Sequence, residues 1–417
     1  MIRKLKKHSY RFLKWSENYT KTDMTYLSKG GFWLVLSTIF STAIKFGSVI
    51  AFANLLDPST YGTYQFILSI AAIIGAFTLT GMPPAVAQAV ARGYKGALRK
   101  GAWINLKWSI GIVIAAGAVA IYYFINDNYT IAIGILLVGA FAPFIESTKL
   151  YESFLTGSKE FKAIFLFSIP RKIVPFVVMV TLLFLTENPT ILILGYYASN
   201  TIVMSLAYFL TIHKYKPTDK TDSETIVFSK HLSVMGVLTQ VAANLDRILI
   251  FHYLGAVELA IYAFAQTGPK QIKALMNPLH TLAFPKFSNQ PINVLRQSLP
   301  RKLVLLFFFL LAIVISYILA APFIFHLIFP QYLDSILFSQ VISLTLLFMP
   351  LAFLKQTFQA HMKKKELYIL NVGGQITKII LLIILLPLIG IWGAIATTFI
   401  TQTLTGGGAV YLFARAR

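Results

Sequence analysis

Residues 303–325 read LVLLFFFLLAIVISYILAAPFIF and contain no charged side chain. Arg301 and Lys302 precede this stretch, and the next charged residue after it is the acidic Asp334. An α-helix needs roughly 20 apolar residues to cross the hydrocarbon core of a bilayer. The stretch therefore predicts a transmembrane helix whose basic end faces the cytoplasm and whose acidic end faces outward.

Similar apolar runs follow one another along almost the whole chain. Of its 417 residues, 57% are hydrophobic and 12% are charged, which is about half the charged fraction of a soluble domain. Breaks at charged or Pro- and Gly-rich positions leave twelve runs, so we predict an all-α integral membrane protein with twelve transmembrane helices. The predicted spans are 30–54, 61–82, 102–124, 130–148, 163–185, 190–212, 230–253, 259–283, 303–325, 335–360, 367–388 and 391–413.

Basic residues alternate along the loops between these runs. The chain carries 37 Lys and Arg against 15 Asp and Glu. Basic residues lie in the N-terminal arm, in every second loop and in the C-terminal tail, whereas the intervening loops contain none. This positive-inside pattern places both termini in the cytoplasm, in a protein of the cytoplasmic membrane. Anionic inner-leaflet lipid accounts for the basic loops, so we expect no nucleic-acid partner.

A weak internal repeat divides the chain into two halves. Leu56, Gly62, Tyr64 and Phe66 recur at a constant offset as Leu254, Ala260, Tyr262 and Phe264, which is also an offset of six predicted helices. The repeat predicts two parallel six-helix lobes around a central cavity. Chance matching of aromatic residues is the alternative. The predicted units are a basic arm (1–29), an N-terminal lobe (30–213), a cytoplasmic linker (214–229) and a C-terminal lobe (230–417).

Two turn motifs resemble a known family. The sequence LLDPSTYGTY at Leu55–Tyr64, after a helix that opens Gly30-Gly31-Phe32-Trp33, is similar to the Wzx-type oligosaccharide flippases of the multidrug/oligosaccharidyl-lipid/polysaccharide exporter superfamily. Asn244-Leu245-Asp246-Arg247, followed by Leu254-Gly255, resembles the start of that family's second half. The resemblance covers roughly residues 28–412. It implies a lipid-linked O-antigen or exopolysaccharide glycan as substrate, with polysaccharide polymerase or glycosyltransferase machinery as candidate partners.

Ionisable residues inside the predicted spans are candidate site residues, because such groups are costly in lipid unless they face water, protein or a partner. Helical spacing places several of them on common faces, and we expect these to line one aqueous space. The predicted substrate-binding residues are Lys45, Arg171, Lys172, Gln240, Asn244, Arg247, Gln266, Lys270, Lys273, Asn277, Gln375 and Lys378. Interhelical hydrogen bonding remains the alternative for the neutral members.

Other residues near the spans have more than one interpretation. Lys107 and Lys355 lie near cytoplasmic helix ends, from which both can reach the headgroups. Arg171 and Lys172 adjoin Pro170, so they mark either a kink in the cavity wall or a cytoplasmic-side portal. The pair Pro83-Pro84 is expected to end the second helix.

A cavity rich in cations should attract an anion, and phosphate or pyrophosphate suits Lys and Arg donors. Asp246 is the one acid expected at the depth of these cations, as an ion-coupling group or as a charge partner for Lys45 or another cavity cation. The chain contains no cysteine and no phosphate-binding Gly-rich loop. We therefore predict no cofactor and no nucleotide-driven step.

The sequence favours transport of a polyprenyl-phosphate-linked glycan over two alternatives. A multidrug exporter of the same superfamily moves organic cations and is expected to carry several cavity acids. A membrane glycan polymerase or ligase is expected to carry a large outer loop, whereas every outer loop predicted here is short. We therefore predict a flippase and not an enzyme.

The topology is testable by cysteine labelling, since the chain has no cysteine of its own. Single cysteines at Asp127, Glu187 and Asp334 should react with an impermeant thiol reagent added outside intact cells, because the outer loops hold these residues. Cysteines at Lys95 and Lys364 should react after the cytoplasmic face is exposed. Labelling of the first group from the cytoplasmic side would contradict the assigned orientation.

Overall fold

The computed structural model describes residues 24–222, 224–288, 290–361 and 363–415. All regular secondary structure in these residues is helical, as the composition predicts. Most of the predicted arm, residues 1–29, lies outside the described residues, and the first helix already begins at Met24. The predicted linker is shorter than expected, because helices occupy the chain up to Tyr215 and again from Glu224.

Nine helices form the N-terminal half. They are α1 (Met24–Leu55), α2 (Pro58–Ile74), α3 (Met82–Ala91), α4 (Ala97–Trp108), α5 (Ile110–Ile125), α6 (Tyr129–Thr148), α7 (Leu150–Gly157), α8 (Phe161–Leu185) and α9 (Pro189–Tyr215). A 3-10 turn at Gly75–Phe77 extends α2. Helix α1 packs on α8, α8 on α9, α9 on α6, and α6 on α5.

Nine further helices form the C-terminal half. They are α10 (Glu224–Leu254), α11 (Ala256–Ala265), α12 (Thr267–Ser288), α13 (Ile292–Ile328), α14 (Ser335–Ser343), α15 (Met349–Ala360), α16 (Lys364–Tyr368), α17 (Gly374–Ile389) and α18 (Ile391–Arg415). A 3-10 segment, Leu344–Phe348, joins α14 to α15, and a π-helical turn, Ile369–Gly373, joins α16 to α17.

Within the described residues, nine helical segments are long and apolar enough to cross a membrane. The chain is thus a multi-pass membrane protein. The predicted seventh, eighth and twelfth spans correspond to α10, to α11 with α12, and to α18, which fall outside that group. Their spans carry polar residues such as Asp246 on α10 and Lys270 on α12, as is usual for helices that face the interior of a bundle. The count of twelve spans stays a prediction.

Two helix ends differ from the prediction. Pro83 and Pro84 do not end the second span. The helix is interrupted at residues 78–81, and the two prolines lie in the first turn of α3. Proline suits that position, because it has no N–H to leave unpaired and its φ is already helical. The fourth span is also longer than predicted, since it continues from α6 through α7 as Tyr129–Gly157.

The two halves meet along one seam, in which α2 packs on α10 and α11, and α3 packs on α10. The rings of Phe66 and Phe251 stack with their centroids 3.8 Å apart, and the rings of Tyr61 and Phe264 lie 4.7 Å apart. Phe66 and Phe264 are members of the internal repeat, so the two copies of the motif meet each other at the seam. At the other end of the seam, the N–H of Gly81 donates to Ser233 Oγ over 2.9 Å.

The connection between the halves is docked on the N-terminal half. The N–H of Gly96, which precedes α4, donates to the carbonyl oxygen of Lys220 over 3.0 Å. A Cβ atom at Gly96 would lie 2.8 Å from the carbonyl oxygen of Thr218. Arg99 also pairs with Asp219 at 3.4 Å. The connection thus runs against the turn between α3 and α4, which leaves no room for a side chain at Gly96.

Gly62 sets how closely the two halves approach. A Cβ atom there would lie 1.8 Å from the carbonyl oxygen of Ala256 at the start of α11. Because backbone cannot give way as a side chain can, we expect Gly62→Ala to lower the free energy of unfolding by about 1–3 kcal/mol. Thermal unfolding in detergent, followed by size-exclusion chromatography, measures this.

The matched control for that variant is Gly75→Ala. Gly75 ends α2 with a helical φ of −58°, and a Cβ atom there meets no other atom within 4 Å. Its melting temperature should equal or slightly exceed that of the unmodified protein. Equal stability of Gly62→Ala and Gly75→Ala would contradict the role of Gly62 in the seam.

Candidate functional site

A cavity of about 280 Å³ lies within the C-terminal half. Helices α10, α11, α12, α14, α17 and α18 contribute to its wall, together with the 3-10 segment Leu344–Phe348. Its polar lining residues are Asp246, Tyr262, Gln266, Lys270, Lys273, Thr345, Lys378 and Thr398. Among the described residues, the lining thus carries three lysines and one carboxylate.

Helix α12 and the residue before it supply two of the three lysines and the amide of Gln266. Gln266 caps the end of α11, and Lys270 and Lys273 follow at steps of four and three residues. This spacing keeps the three side chains on one face, and the structure places all of them in the cavity. Lys270 and Lys273 are exposed to that space, and neither has an acid within ion-pair distance among the described residues.

Asp246 is buried in the wall, with 6% of its surface exposed. Its Oδ2 accepts a hydrogen bond from the hydroxyl of Tyr262 over 2.9 Å, and its Oδ1 accepts from the N–H of Arg247 over 3.0 Å. No lysine or arginine of the described chain lies within ion-pair distance of it. Asp246 lies close enough to Lys270 to act on it electrostatically, so its role as a charge partner of a cavity cation stays a prediction. A tyrosine stabilises this carboxylate.

Lys378 is held by the backbone of a neighbouring helix. Its Nζ donates to the carbonyl oxygen of Ala242 over 2.6 Å, which joins α17 to α10. An ammonium group has three donors, so two remain available to the cavity. Arg247, Lys378 and Lys273 all lie close enough to Lys270 to act on it electrostatically. The field at Lys270 is therefore that of several cations and one carboxylate.

A second polar cavity of about 250 Å³ adjoins the first. The two cavities share Lys273, Thr345 and Leu346, so they lie next to each other. Lys355, Gln402 and Thr405 are among the residues that line the second cavity. Lys355, which the sequence allows to reach the headgroups, thus lies against an internal space. Lys107 lies elsewhere, with its Nζ 5.0 Å from the ring centre of Trp103.

A second group of charges lies in the N-terminal half. Arg171 forms an ion pair with Glu152, and Lys149 forms one with Glu146. The prediction that Asp246 is the one acid at the depth of the cations is therefore wrong, because the fourth span continues through α7 and carries Glu152 to Arg171. Lys172 has no ion-pair partner among the described residues, and both Arg171 and Lys45 lie close enough to act on it electrostatically.

None of the other predicted residues whose side chains are described lines the two polar cavities. Asn244 donates to the carbonyl oxygen of Gln240 on its own helix over 3.0 Å. Arg247 lies beside the cavity, near enough to act on Tyr61 and Tyr262 as well as on Lys270. Gln375 is half-buried on α17. The side chain of Asn277 lies outside the described part of the chain.

Sequence reasoning missed Tyr262, Thr345 and Thr398 as cavity residues. Tyr262 was visible as a member of the repeat, but its bond to Asp246 crosses the turn between α10 and α11, which no helical spacing reveals. Thr345 and Thr398 are hydroxyl residues within largely apolar predicted spans. Such residues usually bond to their own helix, as Thr398 does through the carbonyl oxygen of Ala394.

The geometry suits an anion with polar substituents. Lysine and arginine donors form charge-assisted hydrogen bonds with phosphate oxygens, and amide and hydroxyl groups exchange hydrogen bonds with a polar, uncharged ligand. Lys270, Lys273 and Lys378 supply the first kind of group, whereas Gln266, Thr345 and Gln402 supply the second.

Solved structures with the same fold are membrane transporters. An inward-facing multidrug resistance MATE family transporter of the MOP superfamily aligns with a TM-score of 0.68 and 15% identity, over 90% of this chain and 95% of the other. The lipid II flippase MurJ in an inward closed conformation aligns with a TM-score of 0.62 and 14% identity, over 92% and 87% of the two chains.

A third structure of this kind has a pocket of unusual charge. It is a MOP superfamily transporter from Pyrococcus furiosus, described as having a binding pocket of reverse polarity, with a TM-score of 0.62, 14% identity and coverage of 93% and 96%. At these identities the likeness shows the fold. A search of curated proteins found no match.

A family model provides the link at the level of sequence. The model described as polysaccharide biosynthesis protein matches residues 27–290, which is more than half of the chain. The match includes both turn motifs, at Leu55–Tyr64 and at Asn244–Arg247. The chain therefore belongs to the polysaccharide biosynthesis protein family, and the resemblance seen in its turn motifs is confirmed.

Proposed function

We propose that this protein flips a polyprenyl-(pyro)phosphate-linked oligosaccharide across the cytoplasmic membrane by alternating access, for the assembly of a cell-surface polysaccharide. The observation that carries the proposal is the cavity in which Lys270, Lys273 and Lys378 surround a single carboxylate. Membership of the polysaccharide biosynthesis family supports the glycan, and the fold shared with a lipid II flippase supports a lipid-linked substrate.

In this proposal each group of the cavity has a separate role. The free ammonium groups of Lys270 and Lys273 bind the phosphate oxygens, and Lys378 adds its two remaining donors. Arg247 strengthens the positive field from beside the cavity. The amide of Gln266 and the hydroxyl of Thr345 exchange hydrogen bonds with sugar hydroxyls. Lys45 and Lys172 offer a second cationic patch in the N-terminal half, whereas the ion pair with Glu152 makes Arg171 a positioning residue.

The charge of the cavity argues against the multidrug alternative. An organic cation would meet three lysines and one carboxylate there, and like charges in a space of low dielectric repel strongly. The pocket of the Pyrococcus furiosus transporter is likewise described as reversed in polarity. Uptake of cationic dyes by vesicles that contain the protein distinguishes the two functions, since the flippase proposal expects none.

The contribution of the cavity cations can be tested by substitution. Lys270→Ala removes a charge-assisted contact from the cavity, and loss of one such contact weakens binding about ten- to hundredfold. Arg247→Ala removes a positive charge that acts on the cavity from beside it. We expect export of the lipid-linked glycan to fall accordingly in proteoliposomes, and Lys270→Arg to retain more activity than Lys270→Ala. Chromatography of each purified variant checks that it is folded.

Lys107→Ala is the matched control, because Lys107 lies on the ring of Trp103 and outside both polar cavities. It removes the same charge from the protein and should leave export unchanged. Normal export by both Lys270→Ala and Arg247→Ala would show that these cations have a structural role.

The driving force gives a second test. With an inside-negative potential, an outward-moving dianionic headgroup gains roughly 4.6 kcal/mol per 100 mV, twice the value for a single charge. Imposing about 100 mV, negative on the cytoplasmic side, should therefore shift the steady-state distribution of a fluorescent lipid-linked sugar outward without any sodium or proton gradient.

Asp246→Asn separates this mechanism from ion coupling. The asparagine carbonyl can still accept the hydrogen bond from Tyr262, so the variant should change the transport rate and keep the dependence on voltage. A distribution that follows a sodium or proton gradient and ignores voltage would defeat the mechanism and make Asp246 the coupling site.

A further inference from the structure

An apolar groove of about 550 Å³ lies beside the two polar cavities. Helices α13, α15 and α18 and the 3-10 segment Leu344–Phe348 form it, and all of its lining residues are apolar. Val304 and Phe307 on α13 are 52% and 38% exposed, so the groove opens at the outer surface of the bundle. Those residues directly follow Arg301 and Lys302, which places the opening at the inner leaflet in the predicted topology.

The groove and the two cavities are contiguous. The groove shares Phe348 and Leu351 with the second polar cavity, which in turn shares Lys273 and Thr345 with the first. All three spaces meet at Leu344–Phe348, where the predicted tenth span changes from α-helix to 3-10 helix. Pro350 follows at the start of α15. Such a break within a span often marks a functional position.

The lining changes character in a fixed order along this path. It is apolar in the groove, carries Lys355 and Lys273 with Gln402 in the second cavity, and carries Lys270 and Lys378 in the first. The side-chain Oε1 of Gln402 is buried and has no hydrogen-bond partner among the described residues. An amphiphile with an apolar chain, an anionic group and a polar end carries its groups in the same order as the lining of these three spaces.

We infer that the groove binds the isoprenoid chain of the transported lipid next to its phosphate, and that Lys355 and Lys273 hold that phosphate while the substrate enters from the inner leaflet. The inference rests on the proposed function for the identity of the lipid. The observation behind it is that the groove lies next to the cationic cavities and shares Phe348 and Leu351 with one of them. A surface site for a bulk phospholipid would not need cationic cavities beside it. The isoprenoid chain of the lipid thus enters the protein within its C-terminal half, between α13, α15 and α18.

Photocrosslinking tests the groove without any transport step. The full-length protein in nanodiscs is irradiated with a photoreactive polyprenyl phosphate that carries no glycan, and the labelled peptides are mapped by mass spectrometry. We expect labels within 303–307 and 344–351, removed by unlabelled polyprenyl phosphate and retained in excess phosphatidylglycerol. Labels elsewhere, or equal competition by phosphatidylglycerol, would overturn the inference.

Val304→Trp narrows the mouth of the groove, and Leu319→Trp is its control, because Leu319 is 76% exposed on the same helix and does not line the groove. Labelling should fall about tenfold in Val304→Trp, as when roughly two methylene groups are excluded from an apolar site. It should be unchanged in Leu319→Trp. Equal labelling of both variants would overturn the inference.

A transport assay on the same proteins separates the two proposals. If Val304→Trp impairs export of a long-chain lipid-linked sugar and Leu319→Trp does not, the result supports both the groove and the proposed function. Export by Val304→Trp at the unmodified rate overturns the groove while the proposed function stands. Specific labelling of the groove in a protein that exports no lipid-linked sugar supports a polyprenyl phosphate site and refutes the proposed function.

Discussion

A lysine or arginine held within a membrane needs water, a counter-charge or a backbone oxygen beside it, because the free energy of an isolated charge in hydrocarbon is prohibitive. This protein meets the requirement in three ways. Arg171 has the carboxylate of Glu152, Lys378 has the carbonyl oxygen of Ala242, and Lys270 and Lys273 have an internal cavity. The first arrangement satisfies a cation within the protein, the second does so in part, and the third leaves both charges free for a ligand. The cavity thus lies where the helices carry lysines that have no partner of opposite charge within ion-pair distance among the described residues.

Helix α11 connects that cavity to the seam between the halves. Phe264 packs on Tyr61 across the seam and stacks on Tyr332 with a centroid distance of 3.8 Å, whereas Tyr262 bonds to Asp246 in the cavity wall. Both residues lie on the same short helix, which begins where Gly62 allows the closest approach of α2. A shift of the seam therefore moves a residue that stabilises the carboxylate of the cavity. This is a physical route by which lobe movement and substrate binding can influence each other.

The sequence predicted those features that depend on local composition and spacing. The predicted spans matched helices because a long uncharged run has few alternatives in a membrane protein, and the four- and three-residue steps from Gln266 to Lys273 fixed a common face. Features that depend on contacts between distant segments were not predictable. The pairing of Arg171 with Glu152 needed the true end of the fourth span, and the bond between Tyr262 and Asp246 needed the geometry of a turn. Helix breaks were also missed, since Pro83 and Pro84 can end a helix or begin one.

The docked connection between the halves makes one end of the molecule asymmetric. Lys220 is bonded to Gly96, and α10 begins only a few residues later at Glu224, so the start of α10 is tethered to the turn between α3 and α4. A tethered point moves least when two bodies rotate apart, and displacement grows with distance from it. Any rotation of the two halves against each other would therefore turn about this tether, and the space between them would widen most on the side of the molecule away from it. Two halves that carry the same turn motif would thus not move as equivalents.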